Sequence, residues 1–559
     1  MPYRAPLAEY RFLLDRVLGF HQVTATPRFA DATPDTVTAI LTEAAKLCET
    51  TLAPLNRLGD KHPARLENGV VRTSPGFAEG FAAIAEGGWI GMSASPDHGG
   101  LGLPMALTTC VNDMMGSACL ALQLNPLMTQ GQIEALEHHA SDAIKALYIP
   151  NLISGAWNGT MNLTEPQAGS DVGALTTRAE PNPDGTYAVT GQKIYITWAD
   201  NDFTANTCHL VLARLPEAPA GTRGISLFLV PKLIPDGNGQ PGPRNSLHVL
   251  SLEHKLGLHG SPTAVMQYDK AKGWLVGEPN KGMAAMFTMM NNARLGVGMQ
   301  GVSIAEAAFQ QALTYAETRK QGKTIIDHAD VRRMLAEMKA ETFAARAIGL
   351  ACAIAIDLGT ATNDPLHQAR AALLTPIAKA YGTDTGHHVA QLGIQVHGGM
   401  GFIEDTGAAQ FARDVRVTQI YEGTNGIQAM DLVGRKMMDG GEAAFRLIDE
   451  IQAAAEETRA TLPDLATPVW TAAETLREAT EVLVAQNTAD RFAAAVAYQR
   501  AFARVLGAHY HLKAAADPGR IDLARFAIRR LLPEHAALLA QVQEGAASLF
   551  AVTPEMLSA

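Results

Sequence analysis

Apolar residues recur every three to four positions in the first part of the chain. Val37, Ile40, Leu41, Ala44 and Cys48 share one face at helical spacing, with Pro34 suited to the first turn and Thr33 to its cap. The stretches Gly87–Gly91 and Pro96–Gly102 punctuate this helical region as loops. From about residue 156 to 275 the helical period fades, and β-branched and aromatic runs appear between turns. Tyr187 to Trp198 reads as a strand broken at Gly191-Gln192; His209 to Ala213, Ile225 to Val230 and Leu247 to Leu252 read as further strands. Turns at Pro183-Asp184-Gly185, Gly221–Gly224 and Gly237–Gly242 separate them. Strands this close, with no helices between, predict an antiparallel β-domain and not a βαβ array. Helical patterning returns over about 284–319, 328–358 and 367–392. After Asp439-Gly440-Gly441 an Ala-rich tail places Leu447, Ile448 and Ile451 on one stripe. The expected fold is α+β, mostly α, in four parts: an N-terminal helical domain with an extension (1–155), a middle antiparallel β-domain (156–278), a helical bundle (279–440) and an additional C-terminal helical domain (441–559).

Composition narrows this picture. With 559 residues, 47% hydrophobic and 18% charged, the chain has material for a large core and more than one domain, and is not globally disordered. A net charge of -11 disfavours nucleic acid and anionic membranes as partners, and residues 441–559 alone carry 15 Asp/Glu against 11 Lys/Arg. The five cysteines, Cys48, Cys110, Cys119, Cys208 and Cys352, are scattered without a Cys-x-x-Cys pair, and read as buried free thiols in a reducing compartment. The start, Met-Pro-Tyr-Arg-Ala-Pro, does not read as a secretory signal. The most apolar run, Ala347 to Ile356, is too short to span a bilayer and reads as a buried helix. A cytoplasmic location is expected. No His/Cys/Asp cluster has metal-ligand spacing, and no Gly-x-Gly-x-x-Gly, Gly-x-Ser-x-Gly or P-loop is present, so neither a metal nor NAD is expected.

Chemistry concentrates in Gln419-Ile420-Tyr421-Glu422-Gly423-Thr424-Asn425-Gly426-Ile427-Gln428, where a carboxylate lies between apolar residues and Gly-Thr. Five further motifs precede it in order: Leu163–Asp171 (Leu-Thr-Glu-Pro-Gln-Ala-Gly-Ser-Asp), Gly191–Thr197 (Gly-Gln-Lys-Ile-Tyr-Ile-Thr), Lys255–Thr263, Arg294 followed by Arg319, and Gln395–Gly401. Together, over roughly residues 35–435, they resemble the acyl-CoA dehydrogenase family. The N-terminal phrase, Gly273–Glu278, Met286–Asn291 and the helical extension are similar to the long bacterial 3-methylmercaptopropionyl-CoA dehydrogenases.

That resemblance implies FAD-dependent α,β-dehydrogenation of an acyl-CoA to the trans-2-enoyl-CoA, with electron-transferring flavoprotein as acceptor and a homodimer or dimer of dimers as the assembly. Such chemistry needs a desolvated carboxylate at the α-carbon and donors for the thioester oxygen as enolate charge develops. By resemblance Glu422 is the base, its N–H helping to bind the thioester oxygen, with Gly423 beside the substrate. The family's other position for the base, immediately before the arginine of the 280–300 helix, is Ala293 here, and a methyl group takes no proton. Arg294 matches the arginine holding the CoA part, although it also suits a salt-bridged helix position. Thr164 and Thr197 match hydroxyls at the isoalloxazine edge, Ser170 a phosphate-side contact of FAD or CoA, and Tyr195 stands where the family often has tryptophan. Arg319, Gln395, Gly398 and Gly399 match FAD contacts made across a dimer, Gln321 is a polar contact substituting there, and Thr424 matches a contact following the base. The aromatic that often follows the arginine is absent, Met161 replaces a tyrosine of some relatives, and Gly426 a polar residue. His397 reads as a packed histidine rather than a general acid.

The favoured substrate is 3-methylmercaptopropionyl-CoA, with short or medium straight-chain acyl-CoAs next. Two other readings are an acyl-CoA oxidase and, from a different class, a flavin-containing DNA-protecting protein on the same scaffold. The acidic tail speaks against the latter.

Overall fold

The computed structural model describes residues 3–559, apart from the side chain of Asn291. Met1 and Pro2 of the N-terminal phrase, and that one side chain of the Met286–Asn291 phrase, lie outside the described residues. The helix expected near Pro34 runs as the pattern predicts: Pro34–Leu47 starts on Pro34, and the Thr33 hydroxyl accepts the Thr36 N–H at 3.3 Å. One hairpin interrupts the N-terminal helices, Arg65–Glu67 against Val70–Arg72. Its turn is Asn68-Gly69, both at positive φ, the pair a tight two-residue turn favours.

The middle region is a seven-stranded sheet. Tyr187–Thr197 is flanked by Thr263–Val276 and Arg178–Pro181, and Ile225–Pro231 pairs with both Thr263–Val276 and Asn206–Arg214. Those pairings close the sheet on itself around a small separate core that includes Val189, Phe228, Met266 and Tyr268. The pairings are antiparallel, as expected, except Trp157–Asn162 on Asn206–Arg214 and the single Arg178–Arg214 bridge. The long connection after Asn162 gives the chain room to return in parallel. Gly191 does not break its strand: Gly191 and Gln192 pair with Tyr268 and Gln267. A side chain at Gly191 would lie 2.3 Å from the Thr177 hydroxyl, so the glycine answers to close packing.

Three long helices, Gly282–Thr318, Ala329–Thr362 and Pro365–His397, pack with Met105–His139 into the main bundle. The apolar run 347–356 belongs to a 34-residue helix, long and apolar enough to cross a membrane, as is Met105–His139; both have 94% of the relevant window buried inside the protein. The run is therefore a core helix, as its flanks predict, within a longer element than the sequence delimits. All five cysteines are buried and free. Residues beyond 441 form helices whose apolar stripe, including Leu447, Ile448 and Ile451, enters the same continuous core as the bundle. Gln499 donates to the Pro376 carbonyl at 2.8 Å, and Arg520 approaches Glu9 at 3.6 Å, fastening the tail to the body.

Candidate active site

Glu422 sits between the short helical turn Arg416–Gln419 and the helix Asn425–Gly434, whose first turn is capped by the Thr424 hydroxyl. Its φ is +53°, followed by +84° at Gly423. A non-glycine residue in the left-handed region costs about 1–2 kcal/mol, so surrounding bonds must impose it. Gln428 Nε2 donates to the Glu422 carbonyl at 3.1 Å. Lys379 Nζ donates to the Gly423 carbonyl at 2.8 Å and to Asn425 Oδ1 at 3.0 Å. Asn425 is itself held by Asp384 at 2.7 Å. Among the described residues, neither the N–H nor the carboxylate of Glu422 has a protein hydrogen-bond partner.

Loss of hydration pushes the Glu422 carboxyl up to about 7, against the opposing pull of Arg294 and Lys379. Arg294 is buried, paired through Nη1 with Asp431 Oδ2 at 3.2 Å, and its Nε is unpartnered. The salt-bridged role and the position beside Glu422 thus coexist in one side chain. Ala293 is buried next to it. The Tyr421 hydroxyl bonds Gln300 Oε1, leaving Gln300 Nε2 unpartnered, and Gln428 Oε1 is unpartnered too. Buried polar atoms without partners cost about 1–3 kcal/mol each; three such atoms, on Arg294 and on side chains bonded to Tyr421 and to the Glu422 carbonyl, mark a place for a polar ligand.

Thr164, Tyr195 and Thr197 lie together on the sheet. The Ile194 N–H donates to the Thr164 carbonyl at 3.0 Å, and Thr197 pairs with Thr263. Beneath them Lys193 and Glu165 form a buried ion pair at 2.8 Å, and Lys193 also bonds the Leu163 carbonyl. Tyr195 adopts φ +62° and is 60% exposed. Ser170 lies exposed just before the turn Val172–Ala174. The hydroxyls of Thr164, Ser170 and Thr197 bond no protein group among the described residues. The free hydroxyls of Thr164 and Thr197 beside an exposed aromatic ring, with that of Ser170 on the loop that follows Thr164, form a donor set suited to a planar heteroaromatic ligand.

Arg319, Gln321, Gln395, Gly398 and Gly399 form a second exposed group. Tyr315, one turn before Arg319, stacks on His397, one residue before Gly398, with ring centroids 4.4 Å apart. Gly398 ends its helix at φ +61°, whereas nothing within 4 Å of Gly399 requires the missing side chain. The Arg319 guanidinium has no protein partner among the described residues. No hydrogen bond, ion pair or ring contact among the described residues joins this group to the Thr164 group. His397 is buried and its Nδ1 meets the Gly393 carbonyl at 2.7 Å, the packed state expected of it.

Sequence reasoning missed Glu165, Lys193, Lys379, Asn425 and Gln428. All but Lys379 stand inside quoted motifs. Lys379 had its own signal: a single charge among Leu373, Leu374, Ile377, Ala378 and Ala380 on a helix, where an unpaired lysine is rare.

Four family models match successive parts of the chain: Acyl-CoA dehydrogenase, N-terminal domain (34–156), middle domain (160–271) and C-terminal domain (280–438), and Acetyl-CoA dehydrogenase C-terminal like (447–553). The 3-methylmercaptopropionyl-CoA dehydrogenase of Ruegeria pomeroyi is 46% identical over 81% of this chain and 79% of its own. A butyryl-CoA dehydrogenase of Syntrophomonas wolfei is 32% identical over 80% of this chain and 78% of its own. The fold matches Caenorhabditis elegans ACDH-11 in complex with C11-CoA, with TM-score 0.79 and 20% identity, covering 95% of this chain and 93% of that one. It also matches an acyl-CoA dehydrogenase complexed with FAD from Bacillus anthracis, with TM-score 0.77 and 19% identity, covering 98% and 94%. By these matches the chain belongs to the acyl-CoA dehydrogenase family of flavin-dependent oxidoreductases.

Proposed function

We propose that the protein removes the α-proton and β-hydride of an acyl-CoA thioester, with Glu422 as the base and 3-methylmercaptopropionyl-CoA as the preferred substrate. The observation that carries this reading is the state of Glu422. Its carboxylate and its N–H are both unspent, its carboxyl is pushed up to about 7, and two buried cations stand beside it. A base poised near neutral pH serves proton abstraction best. The free N–H is a donor for a thioester oxygen that gains charge as the α-proton leaves. Arg294, with its unpartnered Nε, supplies positive charge for an anionic or carbonyl group of the substrate.

The free hydroxyls of Thr164, Ser170 and Thr197 and the exposed Tyr195 ring suit FAD, with Thr424 following the base. Bound FAD supplies the two-electron oxidant that receives the β-hydride. The unpaired Arg319 guanidinium and open Gly399, with Gln321, Gln395 and Gly398, suit the diphosphate and ribose end. Among the described residues no hydrogen bond, ion pair or ring contact joins these two groups, which favours a homodimer sharing each FAD. Phe402, 86% exposed just after the glycines, fits a surface covered by a second copy. Electron-transferring flavoprotein is the proposed acceptor.

The substrate preference rests on the 46% identity to the Ruegeria pomeroyi enzyme. A second reading, a short straight-chain acyl-CoA, is favoured by the 32% and 35% identities to butyryl-CoA dehydrogenases. An anaerobic screen of acyl-CoAs, scored by bleaching of the flavin, separates them: the sulfur-containing acyl group should bleach fastest. Faster bleaching by butyryl-CoA would select the second reading. No bleaching by any acyl-CoA would overturn both.

A further inference from the structure

Glu422 and Gly423 occupy consecutive left-handed positions. Such a turn persists only where its surroundings over-determine it. The anchors come from two sides. Gln428 takes the Glu422 carbonyl from the helix that follows, and Lys379 takes the Gly423 carbonyl from the long helix Pro365–His397. Lys379 is wholly buried, and among the described residues its ammonium bonds the Gly423 carbonyl and Asn425 Oδ1, with no carboxylate at ion-pair distance. A buried ammonium without a contacting counter-ion is costly and is ordinarily replaced or paired.

We propose that Lys379 is a positioning residue of the site: it fixes the Glu422–Gly423 turn through the Gly423 carbonyl and adds a second positive charge, beside that of Arg294, next to the Glu422 carboxylate. The inference rests on the reading of Glu422 as the base. Two cations act on Glu422, Arg294 from Gly282–Thr318 and Lys379 from Pro365–His397; Asp384 lies near Lys379, and Asp431 and Arg435, at the end of Asn425–Gly434, lie near Arg294. Arg294 is paired with Asp431, and Asp431 also takes Arg435 at 2.6 Å. Lys379 differs from Arg294 in having no carboxylate at ion-pair distance among the described residues, its ammonium being bonded to the Gly423 carbonyl and Asn425 Oδ1. Burial pushes Lys379 down to about 8, against the opposing pull of Glu422 and Asp384.

The test uses the FAD-loaded enzyme. Flavin reduction is followed anaerobically against pH with 3-methylmercaptopropionyl-CoA and butyryl-CoA, for wild type, Lys379→Met, Lys379→Gln and Lys379→Arg. Without the charge, Glu422 holds its proton to higher pH. Both neutral variants should move the acid limb up by about one unit, a roughly tenfold loss below neutral pH, with kcat falling more than KM changes. Lys379→Arg should keep the limb near its wild-type place. Lys379→Gln preserves a donor to the turn, so it carries the test if Lys379→Met does not fold. Neutral variants with the wild-type limb and rate would overturn the inference, as would an Arg limb displaced as far as theirs. Glu422→Gln in the same series separates the two claims: bleaching at the wild-type rate removes the base itself, whereas a dead Glu422→Gln beside unaltered Lys379 variants removes only the positioning role.

Discussion

Lys193 and Glu165, from two motifs 28 residues apart, form an ion pair of 2.8 Å that is essentially closed to solvent. Glu165 also accepts the Thr176 and Thr177 N–H groups at 2.7 and 3.1 Å. Burial raises the cost of its charge, but Lys193 and these donors hold its carboxyl below the ordinary range. Lys193→Met leaves that carboxylate uncompensated and should cost about 3–5 kcal/mol, read as a lower Tm and a loss of retained FAD. Adding Glu165→Gln should recover part of it. Unchanged melting and flavin content in the single variant would mean that the pair does not order Thr164 and Tyr195.

The raised Glu422 carboxyl predicts a pH-dependent stability. Its folded value, about 7, lies above the unfolded value of about 4.3, so the folded state holds the extra proton between them. That contribution is full below about pH 4 and is lost as pH rises through 7. Glu422→Gln should therefore melt with wild type in acid and above it at pH 8, by about 1–3 kcal/mol. Equal melting at both ends would show that the carboxyl is ordinary.

His397 stacks on Tyr315 and bonds the Gly393 carbonyl. His397→Phe keeps the stack and loses one hydrogen bond, so stability should fall by about 1 kcal/mol while turnover stays near wild type. Loss of turnover without loss of stability would restore a chemical role for the imidazole.

The tail is joined to the body by core and not by a hinge. Phe492 lies beside Gly434, at the end of the helix that starts just after Glu422, and Tyr498 and Phe502 are fully buried. A chain stopped at Gly440 exposes this face and should aggregate or melt early. A soluble truncation with unchanged Tm would show that the tail is dispensable.

Much of this was legible in the sequence because its signals are local. The 3.6 period located the three long helices near their ends, and alternation with turn residues located Ile225–Pro231 and Leu247–Leu252. Thr263–Val276 was not legible, because its stretch Asp269-Lys270-Ala271-Lys272 is polar and its register is bulged. Trp157–Asn162 was missed because, buried along nearly its whole length in the parallel pairing, it shows no alternation. In the site, motifs named the residues proposed to face a ligand, whereas Lys379, outside every motif, holds the Glu422 turn through contacts 44 and 46 positions away in the chain. Such partners are fixed by packing and cannot be read from spacing.

The central claim is that Glu422 takes the α-proton. Oxidised, FAD-loaded Glu422→Gln mixed anaerobically with 3-methylmercaptopropionyl-CoA is its most direct measurement. The enzyme should bind the thioester and keep its flavin oxidised, the bleaching rate falling by at least about 10²–10⁴ against wild type. Bleaching at the wild-type rate would contradict it.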